Sequence, residues 1–128
     1  MRYLVDTNIL CQQDTDSKIR NWIVQHYLAI GVSSITIAEI AQGIEALSSG
    51  RRRRELQKAL DEIIQDYVIY PFGTAEGREW ARYVNSARRP LPVLDSLIAA
   101  TALANNLQVV TENTNDFPNV PTVNPKSS

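Results

Sequence analysis

Very short apolar runs alternate along this chain with longer stretches of helical period, and that alternation restricts its fold more than any other feature. Residues 2–5, 32–34, 68–70 and 108–111 read as strands, and residues 120–123 as an edge strand. Between them, Ile19, Trp22, Ile23, Tyr27 and Ile30 mark one buried helical face over residues 17–30. Ile37, Ile40, Ala41, Ile44 and Leu47 do the same over residues 36–47, before Ser48-Ser49-Gly50 ends that helix. Leu56, Ala59, Leu60, Ile63 and Ile64 form the inner side of a third helix. Gly31 is expected to break the first helix, and Pro71 to stop the third strand. Thr74 is expected to cap a helix that runs to about residue 87 and buries Trp80, Ala81 and Val84. Past a loop bounded by Pro90 and Pro92, residues 94–104 are apolar almost all the way round, which predicts a central helix covered on most sides. Strands alternating with helices predict the α/β class, with a mostly parallel, short-stranded sheet flanked by helices. Folds of that class bind ligands beyond the carboxyl ends of their strands.

The 128 residues suit one domain with a real core, expected over residues 1–123, with 124–128 as a frayed tail. A hydrophobic fraction of 44% and a charged fraction of 21% are ordinary for a soluble globular protein. No apolar run approaches the roughly 20 residues that span a bilayer, and no signal-peptide pattern opens the chain, so a cytoplasmic location without membrane contact is expected. Cys11, the only cysteine, leaves no internal disulfide framework and no cysteine-based zinc site. A formal net charge of −1 means that any affinity for nucleic acid must come from local patches. The visible ones are Arg51-Arg52-Arg53-Arg54 and Arg88-Arg89, whose ordinary reading is a solvated surface.

Four places carry acids near strand ends. Asp6 closes the first strand and opens Asp6-Thr7-Asn8; alone it reads as well as an Asx turn. Glu39 follows the second strand, where a solvated glutamate near a helix start is unremarkable. Asp95 opens the very apolar helix, a place suited to a helix cap, yet an ionised group among LDSLIAATAL needs a partner. Asn113 and Asp116 sit in the polar loop after the fourth strand, where turn chemistry alone would put such residues. Together, however, they gather anions from distant parts of the chain at one end of a sheet. Carboxylates brought to 4 Å repel by about 4 kcal/mol per pair at an effective dielectric of 20, and a divalent cation removes that cost. Oxygen ligands without thiolate or imidazole select Mg²⁺ or Mn²⁺ over zinc, and such ions activate water and stabilise displacement at phosphorus. His26, the only histidine, lies with Trp22, Ile23 and Ile30 on an apolar face and is expected to be a core or half-buried residue, not a base. The five glycines form neither a dinucleotide fingerprint nor a phosphate loop.

The ordered segments RYLVDTNIL, SSITIAEIAQGIEAL, LPVLDSLIAATAL and LQVVTENTNDF resemble the successive motifs of PIN-domain nucleases, in particular the VapC-type toxins of bacterial type II toxin–antitoxin pairs. The likeness runs over about residues 3–117. It implies a three-layer PIN fold and a ribonuclease that cuts RNA phosphodiester bonds with metal-activated water. It implies Asp6 and Asp95 as principal ligands of Mg²⁺, with Mn²⁺ as substitute, Glu39 completing the set, and Asp116 as a further catalytic acid. Thr7, Asn8, Thr111 and Asn113 would support the site. A cognate antitoxin, whose tail fills the active-site groove, and a homodimer are implied as partners. Asn113 is a departure, because many relatives have an acid there.

Three other readings compete. A haloacid-dehalogenase-type phosphatase wants a second aspartate where Asn8 stands. A phosphoaspartate receiver wants an acidic pair near the first strand and a lysine after the last; the 111–117 loop has none. A PIN-like module that binds RNA or protein without cleaving it is the third, and Asn113 keeps it open.

Overall fold

Every strand pairing in the computed structural model, which describes residues 2–127, is parallel. The strands are β1 (Tyr3–Val5), β2 (Ile30–Ser33), β3 (Val68–Tyr70), β4 (Gln108–Val110) and β5 (Thr122–Val123), in the order β3-β2-β1-β4-β5. The helices are α1 (Thr7–Cys11), α2 (Ser17–Gln25), α3 (Ser34–Glu45), α4 (Arg51–Asp66), α5 (Thr74–Ser86) and α6 (Val93–Ala104). The order reverses at β1: the chain builds outward through β2 and β3, then returns to lay β4 on the other flank. Such a switch point opens a crevice beyond the strand ends.

Strand alternation sends Leu4 and Val109 to one face and Val5 and Val110 to the other, all fully buried. The first face packs on Tyr83 of α5 and on Ile98, Ala99 and Ala102 of α6, with Leu107, Phe117 and Val120. The second packs on Ile9 and Leu10 of α1, Ile19, Trp22 and Ile23 of α2, and the strand residues Ile30 and Val32. A sheet buried on both faces explains why its strands are apolar throughout. The expected central helix is α6, where Ile98, Ala99, Ala100, Thr101 and Ala102 are almost wholly buried, although Val93 and Leu94 at its start are exposed.

Several boundaries differ from expectation. The helix expected to reach Ile30 ends at Gln25, because the His26 amide closes onto the Trp22 and Ile23 carbonyls, and a single 3-10 turn (Tyr27–Ala29) follows. Ile30 fits a helical period equally well, but it pairs with Tyr3 and begins β2. Gly31 therefore breaks no helix. It lies inside β2, where a Cβ would stand 2.3 Å from a ring carbon of Tyr70. Asp6 starts the short helix α1, not merely an Asx turn. Leu47 falls beyond α3, and Ala59 and Ile64 are exposed, so only Leu60 of the α4 stripe is fully buried. Gly73, not Thr74, is the N-cap of α5; its amide donates to Glu76 Oε1 at 2.9 Å. On that helix Tyr83 is the buried residue and Ala81 is exposed. The tail is fastened, not frayed, through residue 126: Pro125 is buried and Lys126 Nζ lies 3.1 Å from both Asp16 and Glu112. No helix among the described residues is long and apolar enough to cross a membrane.

His26 is half-buried as expected, stacked on Trp22 with ring centroids 4.0 Å apart. Replacing Gly31 with alanine is expected to force the Tyr70 ring off β2, an overpacking cost of about 1–3 kcal/mol. Thermal denaturation should show a midpoint several degrees lower; an unchanged midpoint would mean that the ring yields freely.

Candidate active site

Asp6 leaves β1 at the switch point and enters α1 as its N-cap, its Oδ1 accepting from the Ile9 amide at 3.2 Å. The side chain is buried, and burial raises its pKa, while hydrogen bonds from the Thr111 hydroxyl and the Ile9 and Asn8 amides oppose the rise. Thr111 follows β4, directly across from Asp6. Its Oγ1 also accepts from the Asn113 amide at 3.0 Å, so one buried hydroxyl ties the first and fourth strand ends together.

Glu39 comes from α3, whose N-cap Ser33 ends β2. Thr7 Oγ1 lies 2.8 Å from Glu39 Oε1 and 3.1 Å from Thr36 Oγ1. A hydroxyl has one proton, so Thr7 donates to the carboxylate and accepts from Thr36. Glu39 is thereby aimed at the start of α1. Asp95 lies in the first turn of α6, one residue before Ser96. There Trp80 Nε1 donates to Ser96 Oγ at 2.9 Å, and Ser96 Oγ donates to the Val93 carbonyl at 2.6 Å. Asp116 ends the 3-10 turn Thr114–Asp116, which buried Phe117 anchors in the core.

The field at Asp95 brings these residues together. Burial is the largest influence, followed by the charges of Asp116, Asp6 and Glu39, and its pKa is pushed up to about 6. Four carboxylates from four parts of the chain therefore share one electrostatic neighbourhood. The salt bridges among the described residues engage Glu45, Glu55, Glu79, Asp16 and Glu112, and none reaches the four. A cluster of anions with only oxygen donors and no basic partner fits a hard divalent cation. The fit is one of charge and donor type: among the described residues, no three His, Cys, Asp or Glu side chains are already gathered into a ligand set.

The supporting residues divide. Thr7 and Thr111 bond directly to acids of the cluster. Asn8 and Asn113 have exposed side chains and act through their backbone, the Asn113 carbonyl accepting from the Asp116 amide at 2.9 Å. Sequence reasoning passed over Glu112, whose charge Asp6 feels. It is held by Gln12 Nε2 and Lys126 Nζ, each at 3.1 Å. Its position just after β4 was a usable signal, but partners at opposite ends of the chain were not foreseeable. Trp80 and Ser96 were missed as the pair that sets the start of α6. Cys11 lies beside the cluster, its residue solvent-accessible but its thiol partly shielded; that shielding first, and then Glu39 and Asp6, raise its pKa.

A PIN domain family model matches residues 3–123. The chain belongs to the PIN domain family. This PIN domain is 30% identical over 124 residues to the VapC ribonuclease Y4jK of Sinorhizobium fredii, with 89% of each chain covered. It is 27% identical over 124 residues to the toxin FitB of Neisseria gonorrhoeae, again with 89% of each covered. It superposes on a crystal structure of FitAcB from Neisseria gonorrhoeae with a TM-score of 0.88 and 25% identity, covering 98% of this chain and 99% of that one. The parallel sheet flanked by helices is the PIN-like α/β fold that the motifs imply, and the VapC-type resemblance holds along the whole domain.

Asp95 makes metal-free stability depend on pH. Its folded pKa lies above the ordinary 3.8, so the stability contributed by its proton is fully present below about pH 4 and is lost as pH rises through about 6. At pH 7.5 without metal, Asp95→Asn should be the more stable protein by on the order of 1–2 kcal/mol, after allowing for solvent screening at a half-buried site. The gap should vanish near pH 3.5. Equal thermal midpoints at both pH values would contradict this.

Proposed function

We propose that this PIN domain is the ribonuclease toxin of a toxin–antitoxin pair, hydrolysing RNA phosphodiester bonds with Mg²⁺, for which Mn²⁺ substitutes. The observation that supports the reading is geometric: Asp6 after β1, Glu39 held by Thr7, Asp95 in the first turn of α6 and Asp116 after β4 lie near one another, and no salt bridge among the described residues reaches them. The names of the ribonuclease and toxin relatives point the same way. Asp6, Asp95 and Glu39 would hold the ion, with Asp116 as the further acid of the centre. The ion, when bound, supplies an activated water and neutralises charge that builds on the phosphate.

The chain's own residues do the rest. Thr111 and the α1 amides keep the Asp6 carboxylate in one orientation, and Thr7 does so for Glu39. Burial of Asp6 strengthens its pull on a cation. The Trp80–Ser96 bond fixes the first turn of α6 and with it Asp95. Because Asn113 brings no charge, the site holds one ion well and a second only with substrate phosphate. A cognate antitoxin whose tail fills the groove over the acids, and a homodimer of this chain, complete the proposed assembly.

RNA cleavage should require Mg²⁺ and should fall by more than roughly 100-fold in Asp6→Ala and in Asp95→Asn, beyond the losses usual at supporting groups. Thr7→Val should lose roughly 10–100-fold. Variants at Asp6 and Asp95 that cleave like the parent would leave only a binding module. Calorimetric titration of Mg²⁺ into RNA-free protein should show one ion; two equally tight ions would contradict the single-site reading.

A further inference from the structure

Among the described residues, two arginines beside the acidic cluster have no carboxylate to neutralise them. Arg88 and Arg89 are exposed in the loop between α5 and α6, just ahead of Asp95. Among the described residues, salt bridges occupy only Arg51, Arg53, Arg82 and Lys126. The arginine run at the start of α4 is thus partly neutralised by Glu55 and Glu45, whereas the 88–89 pair is not. Arg89 donates from Nη2 to the carbonyl of Asn115, the residue before Asp116. With Ser86, Ala87, Pro118 and Asn119, the two arginines line an open cleft of about 580 Å³. Tyr83 pins its opposite wall, its hydroxyl donating to the Pro118 carbonyl at 2.8 Å. Burial raises the Tyr83 pKa, Arg89 lowers it and Asp95 raises it further. Arg89 and Asp95 therefore lie within Coulomb reach of one phenol.

We propose that this cleft is a phosphate-binding subsite, in which Arg88 and Arg89 hold the backbone of the single-stranded RNA flanking the bond presented to the acids. The proposal rests on the ribonuclease reading and adds the path of the substrate to it. A polyanion approaching four uncompensated carboxylates is repelled, so a cation at the reacting phosphate leaves the flanking phosphates in an unfavourable field. Guanidinium groups suit that place: they stay charged at any working pH and bond phosphate oxygens in pairs. The hydrogen bond to Asn115 restrains Arg89 before substrate arrives, which lessens the entropy given up on binding. Interactions of this kind position a strand without reading its bases.

The test is fluorescence anisotropy of a labelled single-stranded oligoribonucleotide in EDTA across a salt series, followed by steady-state cleavage with Mg²⁺. Arg88→Ala with Arg89→Ala should weaken binding about tenfold or more, and should flatten the log–log salt slope by about 0.7 for every phosphate that the arginines no longer neutralise. In cleavage, KM should rise while kcat stays within about twofold. A dinucleotide too short to reach the cleft should be cut equally by parent and variant. Arg88→Ala alone leaves the Arg89–Asn115 hydrogen bond intact and should give part of the effect, and the Arg88→Lys with Arg89→Lys pair should restore the salt slope. A double alanine variant with parental affinity and slope overturns the subsite, as does an equally weakened lysine pair; either leaves the nuclease reading standing. RNA held through these arginines by a protein that cleaves nothing in Mg²⁺ keeps the subsite and overturns the nuclease instead.

Discussion

The half-buried placement of Asp95 among the charges of Asp116, Asp6 and Glu39 is the constraint around which this end of the sheet is arranged. Groups of like charge are held in one neighbourhood only when something else fixes them there, and in the folded chain that something is the backbone. Asp6 is tied to α1 and to Thr111, Glu39 to Thr7, Asp95 to a helix start set by Trp80 and Ser96, and Asp116 to a turn anchored by Phe117. Each anchor is a hydrogen bond from a neutral donor or an apolar contact. None brings a positive charge to the acids, which is what the proposed cation would supply.

The parallel sheet makes this tolerable. Its two faces are closed by separate apolar clusters, one built on α5 and α6 and the other on α1 and α2. Stability comes from those layers, and the crevice at the strand ends carries the unfavourable charge. The switch point between β1 and β4 places Asp6 and Thr111 side by side, and the crossovers bring α3 and α6 to the same end. Active-site repulsion and core packing are thus segregated along the strand direction, so Asp95 can be neutralised by substitution while the core stays intact.

The α/β class and the central helix were legible in the sequence because burial on both sides leaves a periodicity that short-range patterns can carry. So were the four acids as a set, since each follows a strand or opens a helix. What escaped was decided by partners remote in sequence. Ile30 fits helix and strand periods alike, and only its pairing with Tyr3 assigns it to the sheet. Gly31 signals a break to any local rule, yet it lies inside β2, with the Tyr70 ring where a side chain would stand. The tail looked loose until Lys126 met Asp16 and Glu112. The catalytic roles proposed for the acids were implied by an ordered set of motifs, not by any one residue, since Asp6, Glu39 and Asp95 each allow an ordinary local reading in the sequence; the cap reading of Asp95 fails, because Pro92 is the N-cap of α6.

Asp95 is proposed to feel the charge of its neighbouring acids and to be relieved by a bound cation. Carbon-13 NMR titration of the aspartate carboxyl carbons tests this most directly. The account predicts that Asp95 titrates near pH 6 in metal-free protein. Its midpoint should move toward the ordinary aspartate range when Asp116 is changed to asparagine, and further on saturation with Mg²⁺. An Asp95 that titrates near 3.8 in metal-free protein, and responds neither to Asp116→Asn nor to Mg²⁺, would contradict it.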